Sequence, residues 1–141
     1  MASLPTALQL HIVSADRALV DERVDEVEIP GADGYFGVLP GHTPLLALLG
    51  AGELWYRQGQ TKTYLLIAFG FAEVQPDRVT ILAQVAEKAE DIDIARAEAA
   101  KKRAEDRLSH PVVDMDFERA RIAMMKALIR LQVSTRAKIR S

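Results

Sequence analysis

Gly52-Glu53-Leu54-Trp55-Tyr56-Arg57 and Thr63-Tyr64-Leu65-Leu66-Ile67-Ala68 flank Gln58-Gly59-Gln60. Two apolar, aromatic-bearing runs around a short glycine loop predict a β-hairpin. The same grammar repeats outward from it. Downstream, Phe71–Gln75 and Val79–Val85 flank Pro76-Asp77-Arg78, a tight connection in which proline presets φ. Upstream, Leu8-Gln9-Leu10-His11-Ile12-Val13 alternates apolar and polar with period two, the mark of a half-buried strand. Val24–Ile29 places Val27 and Ile29 on one face, Pro30-Gly31 stops it, and Asp33-Gly34 is a turn dipeptide. Short strands separated by turn signals roughly every 8–12 residues predict an antiparallel β-sandwich or barrel.

The character changes near Ala86. From there to Leu108 the chain consists almost wholly of Ala, Glu, Lys and Arg, strong helix formers. Asp91 or Asp93 is placed to cap the start, and Ser109-His110-Pro111 ends the run, because the residue before a proline avoids the helical region. Asp114 or Asp116 then caps a second helix reaching about Ala137. In that helix Phe117, Ala120, Met124, Ala127, Leu128 and Leu131 follow one apolar stripe, and the first helix offers Ala97, Ala100, Ala104 and Leu108. Two helices joined by a short loop form an αα-hairpin. Contact faces rich in alanine bury little apolar area, so the hairpin is expected to open at modest cost. The fold class is α+β: an N-terminal antiparallel β-sandwich over residues 1–87, then a C-terminal αα-hairpin over residues 88–141.

Composition narrows the chemistry. A chain of 141 residues buries enough surface to fold without staples, and with no cysteine it has no disulfide, thiolate nucleophile or sulfur-ligated zinc. The net charge of −2 gives no footprint of nucleic-acid binding. It conceals an asymmetry: residues 1–90 carry 6 Lys+Arg against 12 Asp+Glu, a charge of −6, and residues 91–141 carry 12 against 8, a charge of +4. An acidic front and a basic back suggest two units with different partners. Met1–Leu10 lacks the basic and apolar regions of a signal peptide. The longest uncharged run, Gly34–Gly52, is interrupted by Pro40, Pro44 and five glycines, so no membrane insertion is expected. These features read as a soluble cytoplasmic protein.

Motifs for catalysis are missing. His11, His42 and His110 have no metal-ligand spacing, and none of the serines lies in a G-x-S-x-G elbow, so neither a metal nor a catalytic residue is expected. Gly31, Gly34 and Gly37 are spaced by three, but no phosphate-holding helix follows them. That segment reads as a loop with special backbone angles or, through Tyr35, Phe36, Val38 and Leu39, as a docking surface. On the helices, Arg96 and Arg103 share one face, as do Arg119, Lys126 and Arg130, and the tail adds Arg136, Lys138 and Arg140. These stripes read either as a solvated basic face or as a polyanion site, for nucleotide phosphates or an acidic protein segment.

Ile29-Pro30-Gly31-x-x-Gly34-x-x-Gly37-x-Leu39-Pro40-Gly41-His42-x-Pro44-Leu45, followed by Phe69–Val74, Val79–Ala83 and a two-helix tail, resembles the bacterial epsilon subunit of F-type ATP synthase over about residues 8–138. The resemblance implies a non-catalytic central-stalk subunit with no required cofactor. Its partners would be the gamma subunit, the proton-carrying membrane ring and the alpha/beta catalytic head, on the cytoplasmic face of the bacterial inner membrane. It implies ring and gamma contact through Tyr35, Phe36, Val38, Leu39 and His42, with Tyr35 standing where some relatives carry an acidic ring-contact residue. It implies that an extended hairpin inhibits ATP hydrolysis, with Arg119, Arg121, Lys126 and Arg130 meeting acidic catalytic subunits. Ile92-Asp93-Ile94-Ala95-Arg96-Ala97 matches the I/L-D-x-x-R-A motif through which some relatives bind ATP as a regulatory ligand. The implied ATP set is Glu87, Asp93, Arg96, Ala97, Arg103, Lys126 and Arg130, with Lys126 replacing an arginine of well-binding relatives.

Overall fold

The computed structural model describes residues 4–110 and 116–140, the last four of these by backbone alone. The chain divides into two compact units, Met1–Lys88 and Ala89–Ser141. The first holds seven strands: β1 (Leu8–Ser14), β2 (Ala18–Val24), β3 (Glu26–Gly31), β4 (Gly34–Val38), β5 (Leu45–Gln58), β6 (Thr61–Gln75) and β7 (Arg78–Lys88). They form one sheet in the order β2-β1-β7-β6-β5-β3-β4. Every pairing is antiparallel except that of β1 with β7. The sheet folds over itself as a sandwich: β2 touches β5, four places away in the ladder, and one buried cluster draws side chains from all seven strands.

The long strands make this possible. β5 has 14 residues and β6 has 15, roughly 50 Å of extended chain, enough to run through both layers. Their inward side chains change parity on the way. In β6 the core takes Leu65 and Ile67, then Ala72 and Val74; in β5 it takes Leu49, then Leu54 and Tyr56; in β7 it takes Ile81 and Ala83, then Ala86. The ladder is interrupted at Gly50, Phe69 and Gln84, which have no pairing between otherwise continuous registers. Phe69 and Gly70 adopt φ of 62° and 119°, the left-handed side of backbone space. This line of breaks turns each strand about its own axis. It also explains why β6 is one strand and not the two short ones expected from sequence. Leu65, Leu66, Ile67 and Ala68 are all buried beside the break, so periodicity fails there.

Three further departures have local causes. Val24 ends β2, and Asp25 separates it from β3, so the run read as one strand is the corner of two. β3 continues through Pro30, at a register shift against β5, where a missing N–H costs no ladder bond. Leu45–Ala51 is the first half of β5; its unbroken apolar run hides the alternation. The hairpin end of β5 is pinned by Arg57. Its Nε donates to Glu26 Oε1 at 2.8 Å, and Asp25 Oδ2 lies 3.6 Å from Nη1. The hydrogen bond to Glu26, with the charges of Glu26 and Asp25, raises the guanidinium pKa further, so the clamp stays ionised. Across the same hairpin, Lys62 Nζ stands 4.1 Å from the centre of the Trp55 ring.

The second unit opens with a 3₁₀ turn, Ala89–Asp91, followed by α1 (Ile94–Ser109) and α2 (Phe117–Arg140). Asp93 and Asp116 are the N-caps, accepting from Arg96 N and Arg119 N at 3.0 Å each. Asp114 and Pro111 lie outside the described residues. Ala97 and Ala104 of α1 are buried, as are Ala120, Ala127, Val133 and Ser134 of α2. The small residues recur every seven positions, 97 and 104 on one helix and 120, 127 and 134 on the other, and form a close-packed seam. Phe117 and Leu128, expected on that seam, are exposed. Its spacing of seven leaves Phe117 and Leu128 off the buried line.

Gly70 is the position on which the sheet break turns. A Cβ there would meet the Leu82 carbonyl oxygen, and its φ is one that L side chains rarely adopt. Gly70→Ala is expected to destabilise the protein by about 3 kcal/mol or more. Gly37→Ala meets nothing within 4 Å and should stay within about 0.5 kcal/mol of the parent. Urea unfolding of the two variants side by side checks the contrast.

Candidate functional site

Within the segment 31–45, Gly34–Val38 form the strand β4, while residues 39–44 connect it to β5 outside any strand. β4 alternates, so Val38 points into the core at 1% exposure, Phe36 packs partly against that core, and Tyr35 and Leu39 stand outward. Val38 is therefore removed from the expected contact set: period-two geometry turns it away from any partner. Tyr35 lies over Gly52, where any side chain would meet its hydroxyl, and that hydroxyl accepts from Glu53 N at 3.2 Å. His42 Nδ1 donates to the Thr43 carbonyl at 2.6 Å, and Gly41 N donates to the Pro76 carbonyl at 2.7 Å, so the Pro40–Pro44 turn is tied to the β6–β7 connection.

A larger apolar surface was missed from sequence. Leu48, Phe71 and Leu82 are direct cross-strand neighbours on β5, β6 and β7, and Val13 of β1 pairs beside Leu82. Leu46 lies two residues from Leu48, on the same face. Leu46, Leu48, Phe71 and Leu82 are 70%, 60%, 50% and 53% exposed. Single exposed leucines are ordinary, but these four form a contiguous apolar patch across three strands, with the half-buried Val13 beside it on a fourth. The available signal was the parity of Leu46 and Leu48 against Phe71 and Leu82. It becomes readable only when the strand register is known.

The helical candidates divide by role. In Ile92-Asp93-Ile94-Ala95-Arg96-Ala97, Ile92 is buried, Asp93 caps α1, and Ala97 lies in the helix seam. The motif is thus also a helix-start signature, and Arg96 is its exposed, functional-group-bearing member. Arg96 and Arg103 stand two turns apart on one exposed face of α1. Lys126 and Arg130 are half-buried on α2. The 3₁₀ turn before α1 touches α2, which places Arg96 and Arg130 at the same end of the antiparallel hairpin, with Arg103 two turns further along. Glu87 belongs to the other unit, on β7 opposite Leu66. Arg119 is exposed at the start of α2, and Arg121 is ion-paired with Glu118 one turn earlier. That hydrogen bond and the Glu118 charge raise the Arg121 pKa and occupy its guanidinium. The side chains of Lys138 and Arg140 lie outside the described residues. Among the described residues no cluster of His, Cys, Asp or Glu is arranged to hold a metal ion.

Replacing Asp93 by Ala removes the acceptor for Arg96 N and should lower the stability of the hairpin by about 1 kcal/mol, whereas Asn, an equally good cap, should preserve it. Hydrogen exchange of the first turn of α1 in the two variants reads this directly.

Comparison with known proteins agrees with this architecture. Residues 7–89 match the family described as ATP synthase, Delta/Epsilon chain, beta-sandwich domain, and residues 90–135 match its long alpha-helix domain. The ATP synthase epsilon chain of Solibacter usitatus is 47% identical over 128 residues, which cover 91% of this chain and 96% of that one. That of Syntrophobacter fumaroxidans is 48% identical over 127 residues, covering 90% and 95%. Among solved structures, a chain of the Euglena gracilis mitochondrial ATP synthase shares the fold at a TM-score of 0.72 and 24% identity, covering 98% of this chain and 84% of that one. One from the Tetrahymena thermophila mitochondrial ATP synthase central stalk and c-ring does so at 0.59 and 13%, covering 96% and 98%. With a matching sandwich, a matching helical region and close relatives along nearly its whole length, the chain belongs to the ATP synthase delta/epsilon family, among the epsilon chains.

Proposed function

We propose that this epsilon chain is a non-catalytic part of the central stalk of a proton-translocating F-type ATP synthase. Its β-sandwich would couple the gamma subunit to the membrane ring, and its helices would slow ATP hydrolysis in the alpha/beta head. The observation that carries the coupling half is the exposed row Leu46, Leu48, Phe71 and Leu82, with Val13 beside it: a surface of this kind gains free energy when a partner covers it. Tyr35 and Leu39, exposed on and after β4, and the half-buried Phe36 and His42 are the remaining candidates for ring and gamma contact. Among the described residues no helix is long and apolar enough to cross a membrane, which fits peripheral attachment through the other subunits at the cytoplasmic face.

The inhibitory half rests on the +4 charge of residues 91–141 and on Arg119, Lys126 and Arg130 sharing one face of α2. ATP as a regulatory ligand would use Arg96, Arg103, Lys126 and Arg130 for its phosphates. Lys126 and Arg130 stand in both sets, and that overlap is what would make the two states exclusive. A ligand that binds only the folded hairpin shifts the population away from the extended one by its differential affinity.

Two measurements test this reading. Added to a catalytic head stripped of this subunit, the full chain is expected to slow ATP hydrolysis, whereas residues 1–88 are expected to bind without slowing it. If both forms bind and neither slows hydrolysis, the hairpin is passive and the inhibitory half is wrong. For the nucleotide, Arg103→Ala is expected to weaken ATP binding to the isolated chain about tenfold or more, the loss of one charge-assisted hydrogen bond. An unchanged affinity on direct titration would remove Arg103 from the site.

A further inference from the structure

The exposed apolar face carries one acidic group in its midst. Glu73 stands directly opposite Leu46 on β5 and Thr80 on β7, two residues along from Phe71. Its carboxylate therefore shares the outward face with Leu46, Leu48, Phe71 and Leu82. Gln75 Nε2 donates to its Oε1 at 3.0 Å. No cation among the described residues forms an ion pair with it. Arg78, two residues from Thr80 on β7, does not reach it. With Pro44, Leu45, Leu46, Val74 and Gln75, Glu73 also lines a groove of about 360 Å³.

We infer that Glu73 determines specificity in docking: the gamma subunit of the stalk presents an apolar side chain to this groove and a Lys or Arg to the Glu73 carboxylate. The inference rests on the docking role of this face given above. Covering the apolar row removes water from Glu73, and a dehydrated carboxylate without a cation opposes association more strongly than a neighbouring leucine favours it. Gln75 satisfies one oxygen with a neutral donor and leaves the charge uncompensated. A partner surface that is merely apolar is rejected, and one with a basic group at this point is selected. The net charge of −6 over residues 1–90 draws a basic surface from a distance in the same sense.

The test is binding of the full chain to the gamma subunit of the same synthase, at low and high salt, for the parent, Glu73→Gln, Glu73→Lys and Phe71→Ser. Thermal midpoints and circular dichroism check that each variant is folded. The expected result is that Glu73→Gln weakens binding about tenfold or more and flattens its salt dependence, that Glu73→Lys weakens it further, and that Phe71→Ser also weakens it. If Glu73→Gln binds equally or more tightly while Phe71→Ser is weakened, no basic group faces Glu73; the inference falls and the docking face stands. If Phe71→Ser and Glu73→Lys both bind like the parent, this face is not the docking surface and both readings fall.

Discussion

The fold depends on a break in three adjacent strands. A sheet whose strands run through both layers of a sandwich must keep apolar side chains inward in each, and β5, β6 and β7 do so by changing inward parity along a line through Gly50, Phe69 and Gln84. The turn is made in β6 by two successive left-handed residues, and Gly70 is the one whose Cβ would strike the neighbouring strand. The consequence reaches the exposed apolar face. Because parity reverses at the break, Leu46, Leu48 and Phe71 point outward while Leu54, Leu65 and Ile67 point inward. The same kind of residue serves as core on one side of the break and as exposed apolar surface on the other.

The helical unit shows a different economy of residues. Ile92, Asp93 and Ala97 have full structural employment in burial, capping and close packing, so their pattern would persist in a chain that never met a nucleotide. The groups left for ligand chemistry are the arginines and the lysine around this frame. A motif match in such a segment carries information about helix geometry first, and about binding only through the side chains that the helix does not use itself.

Charge is divided between the units as strictly as secondary structure. The sandwich is acidic and carries in its apolar row Glu73, which has no ion pair among the described residues; the helices are basic, with stripes set by seven- and four-residue spacing. Apolar area supplies the driving force for association, and charge sets which surface is accepted. The two units therefore suit partners of different chemistry.

Local features were legible in the residues alone. The turns at Gln58-Gly59-Gln60 and Pro76-Asp77-Arg78, a cap at Asp91 or Asp93 and another at Asp114 or Asp116, the change from strand to helix and the basic stripes all follow from neighbouring residues, as did the resemblance carried by the Ile29–Leu45 block. Strand pairing, by contrast, was needed to learn which way Val38 and Leu48 face, that Pro30 lies within a strand, that β1 runs parallel to β7, and that Leu46, Leu48, Phe71 and Leu82 form one surface. These properties depend on which strands pair and in what register, and a residue at the Gly50–Phe69–Gln84 break sets the orientation of side chains far from it in sequence. Period-two reading assumes unbroken alternation, and here the alternation reverses in mid-strand.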